Sequence, residues 1–304
     1  MPVVNRIPPA LLAGALAAVI AACAPAGDSA TDTASAEGAA PAPLPAEPAA
    51  TTGTTGLIDD AAVSAFLAST YGPAATPSGE WNTAPADARF RSADGERDGQ
   101  VARTVCERES VTLSGQPALL LAVCGTVQGA GHPAAGVNDF FLLQPGTNAL
   151  AATAGTHMTE FGSSGNPGDV DAERFGADLY GFVIESGFYN MGQSVETRHV
   201  VLPKDGAFVE AGWFRGGLGN EDWMKGCRER GDCVPQDAYD IDFDLDIDDS
   251  DPATAAYPLL VTESGTACGK PADARYRLVL DQASMTYDVP AALQRDGCAK
   301  AASQ

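Results

Sequence analysis

From residue 57 onward, the pattern of apolar and polar positions is typical of β-strands joined by turns. Apolar residues either alternate with polar ones or form short runs, and Gly, Pro, Asn and Asp bound these runs. The connections are too short for crossover helices, so neighbouring strands should be antiparallel. This predicts a mainly β fold of antiparallel sheets, of the sandwich or curved-sheet type. The clearest predicted strands are Ala118–Val127, Asp139–Leu143, Leu179–Glu185, Thr197–Leu202, Ala207–Phe214, Tyr239–Asp248, Tyr257–Glu263 and Ala274–Asp281.

One helix is predicted at the start of this region. Asp59 or Asp60 can cap its N-terminus, and Gly72 and Pro73 should end it. Its apolar positions recur at helical spacing and are Ala62, Val63, Phe66 and Leu67. The expected fold is therefore β-rich with a single N-terminal helix.

The first residues of the chain show a different pattern. Arg6 precedes an uninterrupted run of small and aliphatic residues, Ala10–Ala22, which predicts a signal peptide over residues 1–22. A transmembrane helix needs about 20 apolar residues, so this run is too short to be a permanent span. The run ends in a four-residue motif that resembles the lipobox of bacterial lipoproteins, Ile20-Ala21-Ala22-Cys23.

This resemblance implies cleavage before Cys23 and lipidation of that cysteine. Several acyl chains hold a protein on a membrane far more firmly than one. Ala24 follows the cysteine where an aspartate would imply retention in the inner membrane, so the resemblance implies the outer membrane, facing the periplasm or the cell surface.

Composition divides the rest of the chain into a tether and a domain. Residues 23–56 are rich in Ala, Pro, Thr and Gly and carry little large apolar surface, so they should form a disordered tether. Residues 57–304 form the predicted extracytoplasmic domain. In overall form, the chain resembles uncharacterised envelope lipoproteins of Gram-negative bacteria.

The net charge of −22 restricts the possible partners. Nucleic-acid binding depends on lysine and arginine that neutralise phosphates, so a strongly acidic chain is a poor candidate for it. The expected partners are the membrane, through the lipid anchor, and an unknown envelope protein or small ligand.

Six cysteines follow Cys23, and an even number in an exported chain predicts disulfides. A zinc site is disfavoured, because no Cys-x-x-Cys pair occurs and no cysteine lies near a histidine in sequence. Proximity in sequence favours three pairs, which are Cys106 with Cys124, Cys227 with Cys233 across a small polar loop, and Cys268 with Cys298.

The most conspicuous polar segment is Asp240–Asp251, which carries seven carboxylates. Its alternation predicts a strand with aspartates facing water, and Arg275 and Arg277 could act as cross-strand partners. The predicted core-facing residues are Ile241, Phe243, Leu245 and Ile247.

Calcium is the alternative for this segment, since clustered carboxylates suit that ion. The strict calcium-loop motif fails because its glycine and its final glutamate are missing. The alternative is a loosely built calcium site at the strand end, formed by Asp248, Asp249 and Asp251. No other cofactor is indicated.

Two further sets of residues are candidates for function. Exposed aromatics beside a glycine-rich loop can bind a ligand or partner, which makes Trp213, Phe214 and Trp223 candidates, although core packing is the simpler role. The histidines lie apart, without an acid or nucleophile in a local motif, and are His132, His157 and His199.

The sequence supports three hypotheses for function. The first is a non-catalytic envelope module that binds a partner or has a structural role. The second is an envelope hydrolase whose catalytic residues meet only in the fold, and the third is a calcium-dependent surface or adhesion module that uses Asp240–Asp251. A pocket holding a histidine and carboxylates would favour the hydrolase.

Overall fold

A computed structural model of the protein describes residues 58–83 and 100–298. The signal peptide predicted at residues 1–22, the lipidation site Cys23 and the tether at residues 23–56 lie outside the described residues. Within the described ranges, the fold is mainly β with antiparallel sheets, as the sequence predicts. No helix there is long and apolar enough to cross a membrane.

Helix α1, Asp60–Tyr71, confirms the predicted N-terminal helix. The Asp59 side chain accepts a hydrogen bond from the Ala62 amide at 2.7 Å, which satisfies one of the free N–H groups of the first turn. Gly72, with a φ of 98°, ends the helix in a conformation that side chains other than glycine rarely adopt. Val63 and Leu67 are fully buried and fix the face that packs on the sheet below.

The first sheet is an antiparallel meander in which neighbours in the chain are neighbours in the sheet. Ser114 and Gly115 both have positive φ and connect the long hairpin of β2 and β3, as tight hairpin turns require. Its strands are β1 Trp81–Thr83, β2 Val101–Leu113, β3 Gln116–Val127, β4 Gly136–Pro145 and β5 Leu150–Phe161.

The second sheet continues the meander and begins at edge strand β6. Its main strands are β6 Asp169–Arg174, β7 Tyr180–Asn190, β8 Gln193–Lys204, β9 Ala207–Gly219, β10 Tyr239–Ile247 and β11 Leu259–Ala267. Two short strands pair with different halves of β11, and they are β12 Lys270–Pro271 and β13 Arg275–Leu278. A separate ribbon consists of β14 Leu280–Asp281 and β15 Thr286–Tyr287. Short 3-10 helices occupy Pro235–Asp237 and Ala291–Gln294.

The two sheets pack face to face around a core of aromatic rings. Phe140 of the first sheet is fully buried, and its ring centroid lies 4.9 Å from that of Phe182 and 6.1 Å from that of Phe208 in the second sheet. Along β3, Leu120 faces this core, while Leu121 faces the core beneath α1. The central strands are therefore buried on both faces, which explains their unbroken apolar runs.

A third core lies on the other face of the second sheet. It contains Val183 and Val200 from β7 and β8, Phe243 from β10, and Tyr287 and Leu293 from the C-terminal segment. That segment therefore covers the second sheet, as α1 covers the first.

Helix α2, Glu221–Arg230, corrects the prediction of a single helix. This stretch was expected to form a polar loop closed by the pair of Cys227 and Cys233. Only Met224 and Cys227 are buried in it, so its apolar pattern is too sparse to indicate a helix. Acidic residues in its first turn, basic residues in its last turn and a left-handed Gly231 at its end stabilise it locally.

Strands β2, β5 and β6 were not predicted either. Their exposed and intermediate positions outnumber the buried ones, and β5 is built largely of Ala, Thr and Gly with little apolar alternation. These segments become strands because they pair with strongly apolar strands beside them. Their own sequence patterns do not indicate strands.

The structure pairs the cysteines as the sequence analysis expected. The Cα atoms are 5.6 Å apart for Cys106 and Cys124, 5.0 Å for Cys227 and Cys233, and 5.4 Å for Cys268 and Cys298. All three values lie within the range of about 4.4–6.8 Å that disulfides require. The first bond crosslinks β2 and β3, the second joins α2 to the residues that follow it, and the third fixes the C-terminal segment to the end of β11.

Replacing Phe140 by alanine tests the core between the sheets. We expect Phe140→Ala to lower the free energy of unfolding by about 3–5 kcal/mol, because the buried ring leaves a cavity that both sheets line. Urea unfolding followed by circular dichroism measures the change. The control is Val279→Ala at a 60% exposed position, where the change should stay within about 0.5 kcal/mol. Equal losses in the two variants would contradict this core.

Candidate functional site

Three adjoining depressions of about 440, 280 and 520 Å³ lie along β6, β7 and β8 and share Glu185. We call them together the acidic groove. Two arginines, Arg174 and Arg198, are the cations among the lining residues. The lining carboxylates are Asp169, Asp171, Glu173, Glu185, Glu196, Asp246 and Asp249.

Strand alternation places one row of these carboxylates. Asp169, Asp171 and Glu173 occupy every second position of β6 and are exposed, while Val170 between them is buried in the core between the sheets. Because β6 is the edge strand, the row lies at the rim of the second sheet. Charged side chains on an edge strand also discourage pairing with another chain.

Both arginines of the groove are already bound by the protein. The Arg198 guanidinium donates to the Glu185 carboxylate and to the Phe243 carbonyl, which ties β8 to β7 and β10. The Arg174 guanidinium donates to the carbonyls of Gly176 and Ala177, at 2.9 Å each. Arg198 is thus neutralised by Glu185, and two of the three guanidinium nitrogens of Arg174 are bonded to backbone carbonyls.

The other groove carboxylates have no such partner. No lysine or arginine within residues 58–83 and 100–298 forms an ion pair with any of six of them, which are Asp169, Asp171, Glu173, Glu196, Asp246 and Asp249. Among the described residues that line the groove, seven carboxylates face two arginines, so the net charge of this lining is negative.

This charge affects the titration of the groove. Partial burial raises the pKa of Glu173, and the neighbouring Asp171 carboxylate raises it further. Strand β2 lies beside β6, and partial burial raises the pKa of its Glu107; Asp171 and Glu173 add to this effect, while a hydrogen bond from the Arg108 backbone opposes it. A positively charged ligand would relieve this repulsion.

Glycines of β9 form the floor beneath one depression. Gly216 lines it together with Glu196, and a Cβ added at Gly217 would lie 3.1 Å from the Glu196 carboxylate oxygen Oε2. The glycine-rich stretch thus lets the Glu196 side chain lie across β9.

The predicted aromatic candidates do not form one surface. Phe214 is 1% exposed and belongs to the core of the second sheet, which corrects its assignment as a binding residue. Trp213 points to the other face of β9, half-buried, with the Arg215 guanidinium 5.3 Å from its ring centroid. Trp223 lies half-buried on α2, where its backbone N–H donates to the Gly192 carbonyl.

The aspartate segment forms strand β10, as predicted. Ile241 and Phe243 are buried, and the aspartates from Asp240 to Asp246 are exposed. The predicted arginine partners lie on β13, one strand away, because β11 intervenes, and the Arg277 guanidinium reaches Asp248 at 2.5 Å.

The calcium site predicted at the end of this strand is not assembled. Asp248 accepts from Ser250 and Arg277, which lowers its pKa, and Asp251 accepts from the Ala253 amide and the Thr254 hydroxyl. Across the described residues, no group of three or more His, Cys, Asp or Glu side chains, Asp249 included, is arranged to hold a metal ion.

Sequence reasoning missed a buried polar network centred on Asp139. This carboxylate is 1% exposed and accepts hydrogen bonds from the Tyr71 hydroxyl at 2.5 Å, Arg103 Nη1 at 2.7 Å and the Met158 amide at 2.7 Å. The His157 Nδ1 atom lies 3.4 Å from it, on a side chain that is 52% exposed.

A β-bulge builds this network. The register of β4 and β5 shifts opposite Asp139, and Met158 there has a φ of 59°, which is unusual for a residue other than glycine. Burial disfavours the charge on Asp139, but the bond from His157, the charge of Arg103 and the other donors hold its pKa below the ordinary value. Burial, together with the Asp139 charge, raises the pKa of Tyr71. Proximity in sequence could not have indicated this site, because the bulge and the sheet create it.

The other histidines lie in structural contacts. His132 is within hydrogen-bond distance of Ser164 and of the Tyr189 carbonyl, and His199 lies 3.3 Å from Glu210. Neither lines the acidic groove.

No protein-family model, no curated protein and no solved structure matches this chain.

Glu173→Gln tests the repulsion in the groove through its pH dependence. A raised carboxyl pKa means that the folded state binds the proton more tightly than the unfolded state. The resulting stability is present below the unfolded pKa of about 4.3 and is lost as the pH rises through the folded pKa. We therefore expect Glu173→Gln to melt at a higher temperature than the wild type at pH 7, and the gain to disappear below about pH 4.

Thermal melts across this pH range measure the effect. The matched control is Glu80→Gln, which makes the same substitution at an exposed position outside the groove. A lower melting temperature for Glu173→Gln at pH 7 would show that the Glu173 charge stabilises the fold.

Proposed function

We propose that this protein is an exported envelope lipoprotein, lipid-anchored at Cys23 and most simply assigned to the outer membrane. We further propose that its domain is a non-catalytic module that binds a positively charged partner or ligand. The lipobox resemblance supports the anchor, and the acidic groove supports the binding role. The single observation that carries the binding role is the row of groove carboxylates that form no ion pair with a lysine or arginine of residues 58–83 and 100–298.

The chemistry of the groove favours a cationic ligand. Its two guanidinium groups are held by Glu185 and by backbone carbonyls, whereas the carboxylates of β6 and β10 face solvent. Amines and guanidinium groups can bind these carboxylates through charge-assisted hydrogen bonds. Because three depressions adjoin along the groove, an extended ligand such as a basic peptide segment or a polyamine fits better than a single ion.

The charge of the whole chain acts in the same direction. With a net charge of −22, the protein attracts cations before contact and raises their association rate. The attraction should weaken as ionic strength rises, because salt screens exposed charges.

A hydrolase is the second candidate, and the pair formed by Asp139 and His157 is the observation that favours it. The buried carboxylate can hold Nδ1 of His157 while the rest of the ring stays accessible, as in general-base sites. Among the described residues, carboxylates line the acidic groove, but no histidine does. The geometry of the groove therefore supports a binding role better than a catalytic one. The calcium-dependent adhesion hypothesis has no comparable support.

Binding of model cations tests the groove. We expect spermine and a hexalysine peptide to bind the wild-type chain at low salt, and Asp171→Asn/Asp246→Asn to bind them about tenfold more weakly, since each exposed ion pair contributes roughly 0.2–1 kcal/mol. Isothermal titration calorimetry measures both affinities and their salt dependence.

The matched control removes the same charge elsewhere. Asp205→Asn/Glu229→Gln changes exposed carboxylates in the turn between β8 and β9 and on α2, outside the groove. It should keep nearly the wild-type affinity. An equal loss in both double variants would mean that net charge, not the groove, determines binding.

The lipid anchor is tested independently of the groove. We expect the wild-type chain to incorporate labelled palmitate in a bacterial host and Cys23→Ser to incorporate none, because the thiol is the acceptor. Ala24→Asp is the matched control and should keep the label while remaining in the inner membrane. Label in Cys23→Ser would rule out Cys23 as the lipidation site.

A further inference from the structure

The disulfide between Cys106 and Cys124 lies at one end of the acidic groove. Both cysteines line the 520 Å³ depression, together with Asp169 and Glu185. The bond joins the neighbouring strands β2 and β3, with 5.6 Å between the Cα atoms. A partner bound in the groove would therefore lie beside this disulfide.

The two sulfur atoms have different surroundings. Cys106 is exposed, whereas Cys124 is 4% exposed. The difference arises from a β-bulge, because Val105 pairs with Val123 and Glu107 pairs with Ala122, which leaves Cys106 without a partner residue on β3. An attacking thiolate can approach Cys106, while the protein covers Cys124.

The other disulfides are less accessible. Cys227 is 1% exposed on α2, and its partner Cys233 is half-buried. Cys268 and Cys298 are also half-buried. Among the six cysteines of the described residues, Cys106 alone is exposed.

A buried amide faces the covered sulfur. Asn138 is fully buried, and its Nδ2 atom donates to Cys124 Sγ at 3.4 Å. Its Oδ1 atom has no hydrogen-bond partner. A disulfide sulfur is a weak acceptor, whereas a thiolate is a charged and much stronger one, so this donor is worth more after the bond opens than before.

We propose that Cys106–Cys124 is an exchangeable disulfide that a dithiol partner reduces by attack at Cys106. The attacking thiolate forms a bond to Cys106 Sγ, the Cys106–Cys124 bond breaks, and its electron pair leaves on Cys124 as a thiolate. Accessibility and the Asn138 donor both favour this direction, because a stabilised thiolate is the better leaving group.

The second step balances the exchange. The partner's second thiolate attacks the partner's own sulfur in the mixed disulfide, and Cys106 leaves as a thiolate. The partner dithiol is oxidised to its disulfide, Cys106 and Cys124 are reduced, and the protons released by the partner's thiols pass to them. This inference goes beyond the binding role and does not depend on it.

The charges around the disulfide select the class of thiol. Among the described residues, Asp169 and Glu185 line the depression and no lysine or arginine does. An anionic thiol is repelled there, while a thiol carrying an amine is attracted. The fitting partner therefore presents its cysteines among basic residues.

Competitive reduction of the full chain tests the proposal. The chain carries Cys23→Ser, so that its remaining cysteines are all disulfide-bonded, and it is exposed under native conditions to limiting cysteamine, 2-mercaptoethanol or mercaptoacetate. N-ethylmaleimide quenches the reaction, and peptide mass mapping locates each free thiol and each adduct. Rates are expressed per thiolate to remove differences in thiol pKa.

We expect Cys106–Cys124 to open first, with the thiol adduct on Cys106 and maleimide on Cys124. The rate of reduction of this disulfide should fall from cysteamine to 2-mercaptoethanol to mercaptoacetate. Asp169→Asn should reduce the difference in rate between cysteamine and mercaptoacetate. Reduction of this disulfide no faster than the other two, or an adduct mainly on Cys124, would overturn the proposal.

Asn138→Leu isolates the effect of the donor. It keeps a side chain of similar size and removes the N–H group, so exchange should slow by about two- to tenfold, the effect of one hydrogen bond. The reduction rate of Cys227–Cys233 in the same sample is the internal control. An unchanged rate in the folded variant would exclude the role of Asn138, and the thiol series on the Cys23→Ser chain decides the proposal if the variant does not fold.

Discussion

Burial of both faces of the central strands is the constraint on which the rest of the structure depends. In β3, alternate residues such as Leu120 and Leu121 enter different cores, one between the sheets and one beneath α1. A strand of this kind is stable only if a second layer covers each face. The protein meets this requirement with α1 on the first sheet and the C-terminal segment on the second.

The acidic groove lies where this packing ends. On β7 and β8, Val183 pairs with Val200 inside the core, and Glu185 pairs with Arg198 two positions further along the same face. Arg198 binds the Phe243 carbonyl at this boundary and thereby ties β8 to β10. The same face of the sheet thus changes from apolar to charged over two residues. The polar side chains of the groove are held in place because the strands that carry them are fixed by the adjoining core.

Sequence patterns predicted the parts of the fold that depend on local or apolar signals. The cap at Asp59, the apolar runs of β3 and β4, and the alternation of β10 all correspond to elements of the structure. Strand β6 was missed because pairing with β7, and not its own pattern, forms it, and helix α2 was missed because its apolar pattern is too sparse to indicate a helix. The cysteine pairs were predictable because each joins segments close in sequence.

The candidate sites were less predictable for a related reason. The conspicuous segment Asp240–Asp251 suggested an ion site at its end, but the groove takes only Asp246 and Asp249 from it and adds the carboxylates of β6, Glu185 of β7 and Glu196 of β8. The register of the sheet brings these residues together. Their spacing in the sequence does not indicate this proximity. The same holds for Asp139 and His157, which a bulge joins across β4 and β5.

The uncompensated carboxylates carry a cost that bears on function. Like charges on neighbouring strands oppose folding, and partial burial increases this effect for Glu107 and Glu173. The protein could have neutralised them with lysines, as it neutralises Asp139 with Arg103 in the core. A row of acids that no lysine or arginine of the described residues pairs, beside arginines that the protein already binds, is consistent with a surface whose positive charge comes from a partner. The exposed residue Cys106 lines the depression at the end of this row, where such a partner would reach it.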